Sequence, residues 1–275
     1  MIFCNIFLIQ KSQYSVYLHH KFRMKKVDVF TLSLIVLFLP TACAYKQYGI
    51  NSVNGYLVEM NGNLDSHADH EMQSLVQFYK TKVDAGMNEV IGETAQTLTT
   101  TGQQSVLAYF TADAMQEYAT ELWGPVDFAV INNGGLRTTL NQGPVTLGNM
   151  YEIYVFENNL VLLDLPGKAI KQLFDDFAQK RIEGFSKNLI LTLKNQAIES
   201  IVIGGKPLDE KAIYRVVTVD YLAEGNDGMV AFTQATGYTD SNVTLRDVMI
   251  EYVRKITAEN KIIYANFDNR IEIKE

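Results

Sequence analysis

The run Asn132-Asn133-Gly134-Gly135-Leu136-Arg137 holds the residue types from which an anion site is made. Two glycines follow the apolar stretch Phe128–Ile131. With no Cβ at either position, backbone and ligand can approach closely. The arginine offers a planar, permanently charged fork that matches a phosphate or a carboxylate. A glycine pair followed by arginine also describes a hairpin turn with a solvated charge, so this segment needs company before it means a site. Three further stretches supply that company: Val155-Phe156-Glu157-Asn158, Ile203-Gly204-Gly205-Lys206-Pro207-Leu208-Asp209, and Tyr221-Leu222-Ala223-Glu224-Gly225-Asn226-Asp227-Gly228. Metal chemistry has less support. Beyond Cys43 the histidines are His67 and His70, at i, i+3 within Ser66–Glu71, and a solvated helix start describes that cluster better than a metal site does.

The apolar pattern locates the elements that must carry these residues. Asp65 or Ser66 is expected to cap a helix running to Asp84, with Leu75, Val76, Tyr79 and Val83 on one face. Ser105 is expected to cap a second helix through Tyr118, where Leu107, Phe110, Ala114 and Met115 share a face. Gly167 begins another, with Ile170, Leu173, Phe174 and Phe177 at helical spacing. Strands are expected at Tyr56–Met60, Asn88–Thr94, Phe128–Ile131, Leu160–Leu165, Leu189–Leu193, Ile198–Ile203, Tyr214–Val219 and Arg270–Ile273. Lys194-Asn195-Gln196 suits a hairpin turn. Thr146 opens one helical turn, and Asn242 or Thr244 caps the last helix, with Thr244 and Asp247 at capping-box spacing. The glycosylation pattern Asn242-Val243-Thr244 is taken as that helix cap alone. Helices and strands mix without a regular βαβ repeat. The expected fold class is therefore α+β, with mixed sheets layered with helices, and not a doubly wound parallel sheet.

Residues 1–43 stand apart from this pattern. Met24-Lys25-Lys26 is a short basic start, and Val29–Leu39 is an apolar run of roughly a dozen residues. A membrane-crossing helix needs about 20, so the pattern is that of a secretory signal peptide. Thr41-Ala42-Cys43 resembles the bacterial lipoprotein processing box, with Pro40 where such boxes usually carry leucine. Lipid attachment at Cys43 is expected, giving an exported, membrane-anchored protein facing the periplasm or the cell surface. Plain cleavage leaving a free cysteine is the alternative. Met1–Arg23 is an upstream extension or a long basic leader. Residues 44–63 are expected to form a tether and a first strand, and residues 64–275 the folded domain.

The net charge of −7 argues against nucleic acid as a partner, which would want a basic stripe. Processing at Cys43 would remove Lys11, Lys21, Arg23, Lys25 and Lys26 against Asp28, leaving a still more acidic body. An anion must then be held by a few local cations. Cys4 and Cys43 leave no disulfide framework and no thiolate metal site in that body.

Together the four segments resemble the C-terminal, substrate-binding domain of the 5′-nucleotidase family, which includes bacterial nucleotide and nucleotide-sugar hydrolases. The family's marks are an Asn-x-Gly-Gly-x-Arg loop, a Pro-Phe-x-Asn segment, a Gly-x-Pro-Leu/Ile-Asp turn, and an aromatic followed six residues later by the Asp of Gly-Gly-Asp-Gly. They occur here in family order, between Glu89 and Phe232. The resemblance implies that Arg137 contacts the substrate phosphate and Asn132 the nucleoside, on a loop whose Gly134 and Gly135 give close approach. It implies that Phe156 and Tyr221 sandwich the base, that Asn158 lies near it, and that Asp227 accepts hydrogen bonds from the ribose hydroxyls. Such stacking is worth about 1–3 kcal/mol per base and tolerates base identity. Core packing is the alternative for either ring taken alone.

Val155 stands where the family carries proline, and Asn226 replaces the second glycine, as a residue that also tolerates positive φ. Thr101, Gln103 and Gln104 stand where family members often carry a second phosphate-binding arginine. Family enzymes hydrolyse phosphate esters with two metal ions held in a separate N-terminal domain. No catalytic residue and no metal or cofactor is assigned within this chain. The expectation is the nucleotide-recognising part of a two-chain 5′-nucleotidase or nucleotide-sugar hydrolase, inactive alone, with divalent metals on a partner metallophosphatase subunit. The alternatives are a non-catalytic nucleoside- or nucleotide-binding lipoprotein, and a degenerate domain kept for protein–protein contact.

Overall fold

A computed structural model describes residues 50–59, 61–101, 105–179, 183–265, 268 and 270–274. The signal-peptide region, Cys43, Gln103 and Gln104 lie outside the described residues. The chain divides into two compact units, Met1–Asp65 and Ser66–Glu275. In the first, Tyr56–Glu59 form no strand, contrary to expectation, and Met60 is not described. An alternating stretch becomes a strand only when an edge pairs with it, and no edge among the described residues does. A 3-10 turn follows at Gly62–His67.

In the second unit, helix α1 (His70–Met87) starts later than expected. Asp69 is its cap, accepting from the Met72 amide at 2.9 Å, in place of Asp65 or Ser66. None of its residues is buried, and Leu75, Val76, Tyr79 and Val83 are each more than half exposed. Strand β1 (Val90–Thr94) leads toward α2 (Val106–Trp123), capped by Ser105 Oγ on the Ala108 amide. Here the expected face is fully buried: Leu107, Phe110, Ala114 and Met115 all lie in the core. Gly124 at φ 80° ends the helix before Pro125, and β2 (Phe128–Ile131) is buried throughout. Next come β3 (Gly143–Thr146) and α3 (Leu147–Ile153), the latter opened by a Thr146/Asn149 capping box.

Strand β4 (Asn159–Pro166) runs into α4 (Gly167–Gln179), which buries Ile170, Leu173, Phe174 and Phe177 as its spacing requires. Short β5 (Gly184–Phe185) precedes the hairpin of β6 (Leu189–Lys194) and β7 (Ala197–Ile203). Asn195 and Gln196 both take positive φ in its turn, the conformation that matches strand twist. The chain continues through β8 (Lys206–Pro207), β9 (Ile213–Val219), the one-turn helix α5 (Asp220–Ala223) and β10 (Gly237–Thr244). Helix α6 (Leu245–Ala258) is capped by Thr244, while Asn242 sits inside β10 at φ 55°. Strand β11 (Ile271–Lys274) closes the chain.

The fold is α+β, as expected. A mixed five-stranded sheet has the order β10-β4-β9-β2-β5, with β9 and β2 parallel and the other neighbours antiparallel. A second sheet is ordered β11-β6-β7-β8, and β1 pairs with β3. Tyr109, Phe185, Phe174 and Phe128 form a chain of ring contacts that ties α2, β5, α4 and β2 together. Arg270 is buried against this core. Its guanidinium lies 4.3 Å from the Tyr109 ring and bonds Asp113, Asp268 and the Phe185 carbonyl. Among the described residues no helix is long and apolar enough to cross a membrane.

Candidate functional site

Strand register decides which loops meet. Parallel pairing of Ala129 with Val217 puts the carboxyl ends of β2 and β9 side by side. Antiparallel pairing of Leu160 with Val219 brings the start of β4 to that same end. The loops Asn132–Arg137, Tyr154–Asn158 and Asp220–Gly228 therefore gather at one end of the sheet. Asp220 ties the third loop to the first residue of β4, accepting from the Asn159 amide at 3.1 Å, and also accepts from the Tyr221 amide at 2.6 Å.

The first loop is a 3-10 turn at Asn133–Gly135 that leaves the sheet, which excludes the hairpin alternative. Asn132 is buried, and its carboxamide folds back over the turn. A Cβ at Gly135 would stand 2.8 Å from Asn132 Oδ1. The glycine thus makes room for the chain's own asparagine. Asn132 Nδ2 donates to Asp227 Oδ2 at 2.5 Å, and the Tyr221 hydroxyl donates to Asp227 Oδ1 at 3.0 Å. Asn132, Asp227 and Tyr221 form one hydrogen-bonded group. A carboxylate has about four lone-pair sites, so Asp227 keeps capacity for two further donors. Bonding to Asp227, together with some desolvation, raises the Tyr221 phenol above its usual pKa, because losing the proton would lose the contact.

Asp227 sits in the left-handed region at φ 54°, between Gly225 at φ 89° and Gly228 at φ 80°. Asn226 closes the turn through its side chain, donating to the Tyr221 carbonyl at 2.8 Å. Its own φ is not positive, so the substitution for glycine costs no backbone strain.

Arg137 and Phe156 make a second group. The guanidinium is 6.0 Å from the Phe156 ring centroid, at the limit for a cation–π contact, and Nη1 donates to the Gly134 carbonyl at 3.3 Å. Arg137 is exposed, with its backbone amide pinned to the Ile153 carbonyl. Phe156 and Tyr221 are 48% and 41% exposed, so neither ring is core packing. Asn158 is half-buried, and its carbonyl accepts from Leu245. Gly134 lies between the two groups: a Cβ there would be 3.6 Å from Asn132 Nδ2 and 3.8 Å from Asp227 Oδ2.

The segment Ile203–Asp209 joins the other sheet. Gly204 and Gly205 make the positive-φ turn between β7 and β8, and the Asp209 backbone packs against Gly167 at the start of α4. It builds the fold and does not reach the cluster. Two residues not foreseen do. Glu183 accepts from both the Asn133 amide and its side chain, fixing the glycine turn. Arg246 grips the segment that carries Phe156, donating to the Tyr154 carbonyl at 3.1 Å and to Glu157 at 3.3 Å. Nothing in the local sequence marks Glu183. Arg246 carries one faint sign, a cation in the first turn of a helix, where the dipole disfavours it.

Among the described residues, no group of three or more His, Cys, Asp or Glu side chains is placed to hold a metal ion. His70 is exposed at the start of α1, and the side chain of His67 is not described.

A family model for the 5′-nucleotidase C-terminal domain matches residues 90–234. The chain is 27% identical over 133 residues to protein UshA of Yersinia enterocolitica, covering 47% of this chain and 24% of that protein. It is 28% identical over 218 residues to the trifunctional nucleotide phosphoesterase protein YfkN of Bacillus subtilis, covering 70% of this chain and 15% of that one. A 5′-nucleotidase precursor from Thermus thermophilus superposes with a TM-score of 0.63 at 26% identity, over 74% of this chain and 43% of its own. A Haemophilus influenzae NAD nucleotidase (TM-score 0.58, 20% identity, 80% of this chain and 46% of its own) shares the fold. The chain thus spans about a quarter or less of the curated relatives named here.

Proposed function

Because this chain belongs to the 5′-nucleotidase family through its C-terminal domain, we propose that it recognises the base, ribose and phosphate of a nucleotide. Hydrolysis is assigned to metal ions on a separate metallophosphatase chain. The observation that carries this reading is the joining of Asn132, Asp227 and Tyr221 into one group beside an exposed ring and an exposed arginine. Asp227, with two acceptor sites to spare, takes the ribose hydroxyls. Asn132 orients the nucleoside. Tyr221 and Phe156 supply flat apolar faces for the base, with Asn158 at its edge, and Arg137 takes the phosphate.

The separation of catalysis rests on the family match being to a C-terminal domain, and on a sequence in which the histidines beyond Cys43 are His67 and His70. In-line phosphoryl chemistry wants metal ions to clamp the attacking and leaving oxygens. Export and a lipid anchor at Cys43 belong to the same proposal, resting on the leader pattern of residues 24–43.

Calorimetry with AMP, and phosphate release from AMP and UDP-glucose with Mn²⁺ in the presence and absence of a candidate metallophosphatase, test it. Expected are binding by this chain, weakening of that binding by Tyr221→Ala, and phosphate release only with the partner. Robust release by this chain alone would sink the separation of roles. Binding with no release under any pairing favours a nucleotide-binding lipoprotein instead.

A further inference from the structure

Phe156 stands in the five-residue connection between α3 and β4, which belongs to neither helix nor strand beyond the Tyr154 amide that caps α3 on the Met150 carbonyl. An aromatic platform on such a segment is useful only if something else holds it, because ordering a loop at the moment of binding costs affinity. The contacts around it are arranged accordingly. Tyr154 is tied by its hydroxyl to Thr111 of α2 at 2.8 Å. The carbonyls of Tyr154 and Val155 accept from Arg246 Nη1, the Glu157 carboxylate accepts from Arg246 Nη2, and the Asn158 carbonyl accepts from the Leu245 amide. Residues on both sides of Phe156 are thus clamped, while its own ring is left about half exposed.

Arg246 is the centre of that clamp. It is buried, and its guanidinium lies 4.4 Å from the ring of Tyr151 in α3. It is the second residue of α6, where the helix dipole opposes a cation. Among the described residues its buried Nε has no hydrogen-bond acceptor. A charge kept there against both costs is compensated chiefly by the loop it grips. It also lies beyond residues 90–234, outside the part of the chain that the family model matches.

We propose that Arg246 is a positioning residue for base recognition: it touches no ligand and acts by holding the loop that presents Phe156. This rests on the nucleotide reading above. The test compares AMP with ribose 5-phosphate, which lacks the base, by calorimetry on the full chain. Arg246→Gln should weaken AMP about tenfold, the size of one lost stacking contact, and change ribose 5-phosphate less than about twofold. Arg246→Lys keeps the charge without the planar fork and should recover part of the loss. Adding Arg246→Gln to Phe156→Ala should cost nothing more, since the two changes act through one ring. Tyr151→Leu, which removes the ring beneath the guanidinium, is the milder variant if Arg246→Gln does not fold, and should show the same selective loss. Equal weakening of both ligands, or additive losses in the double variant, overturns the inference while leaving the nucleotide reading standing. A wild-type chain that binds neither ligand overturns both.

Discussion

Arg246 and Arg270 begin from the same situation and end in different ones. Both are buried, and each sets its guanidinium little more than 4 Å from a tyrosine ring. Arg270 uses every nitrogen: Nε on Asp268, Nη1 on Asp113 and the Phe185 carbonyl, Nη2 on both carboxylates. Arg246 spends its fork on two loop carbonyls and the exposed Glu157. The first closes the end of the chain onto the aromatic core. The second holds a segment that has no regular structure of its own. What separates the fold-stabilising arginine from the one proposed to serve the site is therefore the partner, carboxylates and core in one case and chiefly loop backbone in the other.

The largest effect that could break this contrast is on stability. Arg270→Met should cost about 3 kcal/mol, because it strands Asp113 and Asp268 without their cation. Both carboxylates are partly exposed, which keeps the loss at the low end for a broken buried pair. Urea denaturation measures it, and AMP affinity per folded molecule should not change. A loss under about 1 kcal/mol would place Arg270 among ordinary surface ion pairs.

A third arginine sharpens the comparison. Arg137 is exposed, and the bond recorded for its side chain goes to the Gly134 carbonyl. Arg137→Ala should leave the melting curve in place and weaken AMP roughly tenfold, the worth of one charge-assisted hydrogen bond. Adenosine, lacking the phosphate, should bind as before. Equal losses for AMP and adenosine would remove Arg137 from the phosphate end.

The smallest effect concerns Asp227, a carboxylate served by an amide and a phenol where Asp113 is served by an arginine. The neutral phenol is the donor, so the Tyr221–Asp227 contact is in place below the ordinary tyrosine range. It is lost as pH rises through the elevated pKa of Tyr221. Asp227→Asn should bring that titration back toward the ordinary value. Ultraviolet difference spectra against Tyr221→Phe would show it, and an unmoved titration would mean that the phenol does not bond the carboxylate in solution.

The α+β class, the burial of α2 and α4, the β6–β7 hairpin and the capping by Ser105, Thr146 and Thr244 were all legible from periodicity and cap chemistry. These are local signals, and α2 and α4 also had a core to answer them. Helix α1 had the same kind of apolar face and buried none of it, because burial needs a partner that periodicity does not specify. The strand expected at Tyr56 failed for the like reason. In the site, Asn132, Arg137, Phe156, Tyr221 and Asp227 could be named through the family resemblance of their segments. Their mutual arrangement could not, since it depends on β9 pairing with both β2 and β4. Glu183 was invisible, and Arg246 showed only its unfavourable place in a first helical turn, because each acts on a segment some 50 to 90 residues away.

The left-handed backbone at Asp227 also restricts how this position can drift. At φ 54° the tolerated residues are essentially glycine, asparagine and aspartate. Both of the first two lie a single base change from an aspartate codon. Glycine would spare the turn while removing both oxygens that Asn132 and Tyr221 bond, and asparagine would spare it while leaving one neutral acceptor in place of the carboxylate. On the proposed ribose role of Asp227, the protein stands one base change from a folded form with weakened nucleoside recognition. Selection on ligand use, and not on folding, is what would keep the carboxylate there.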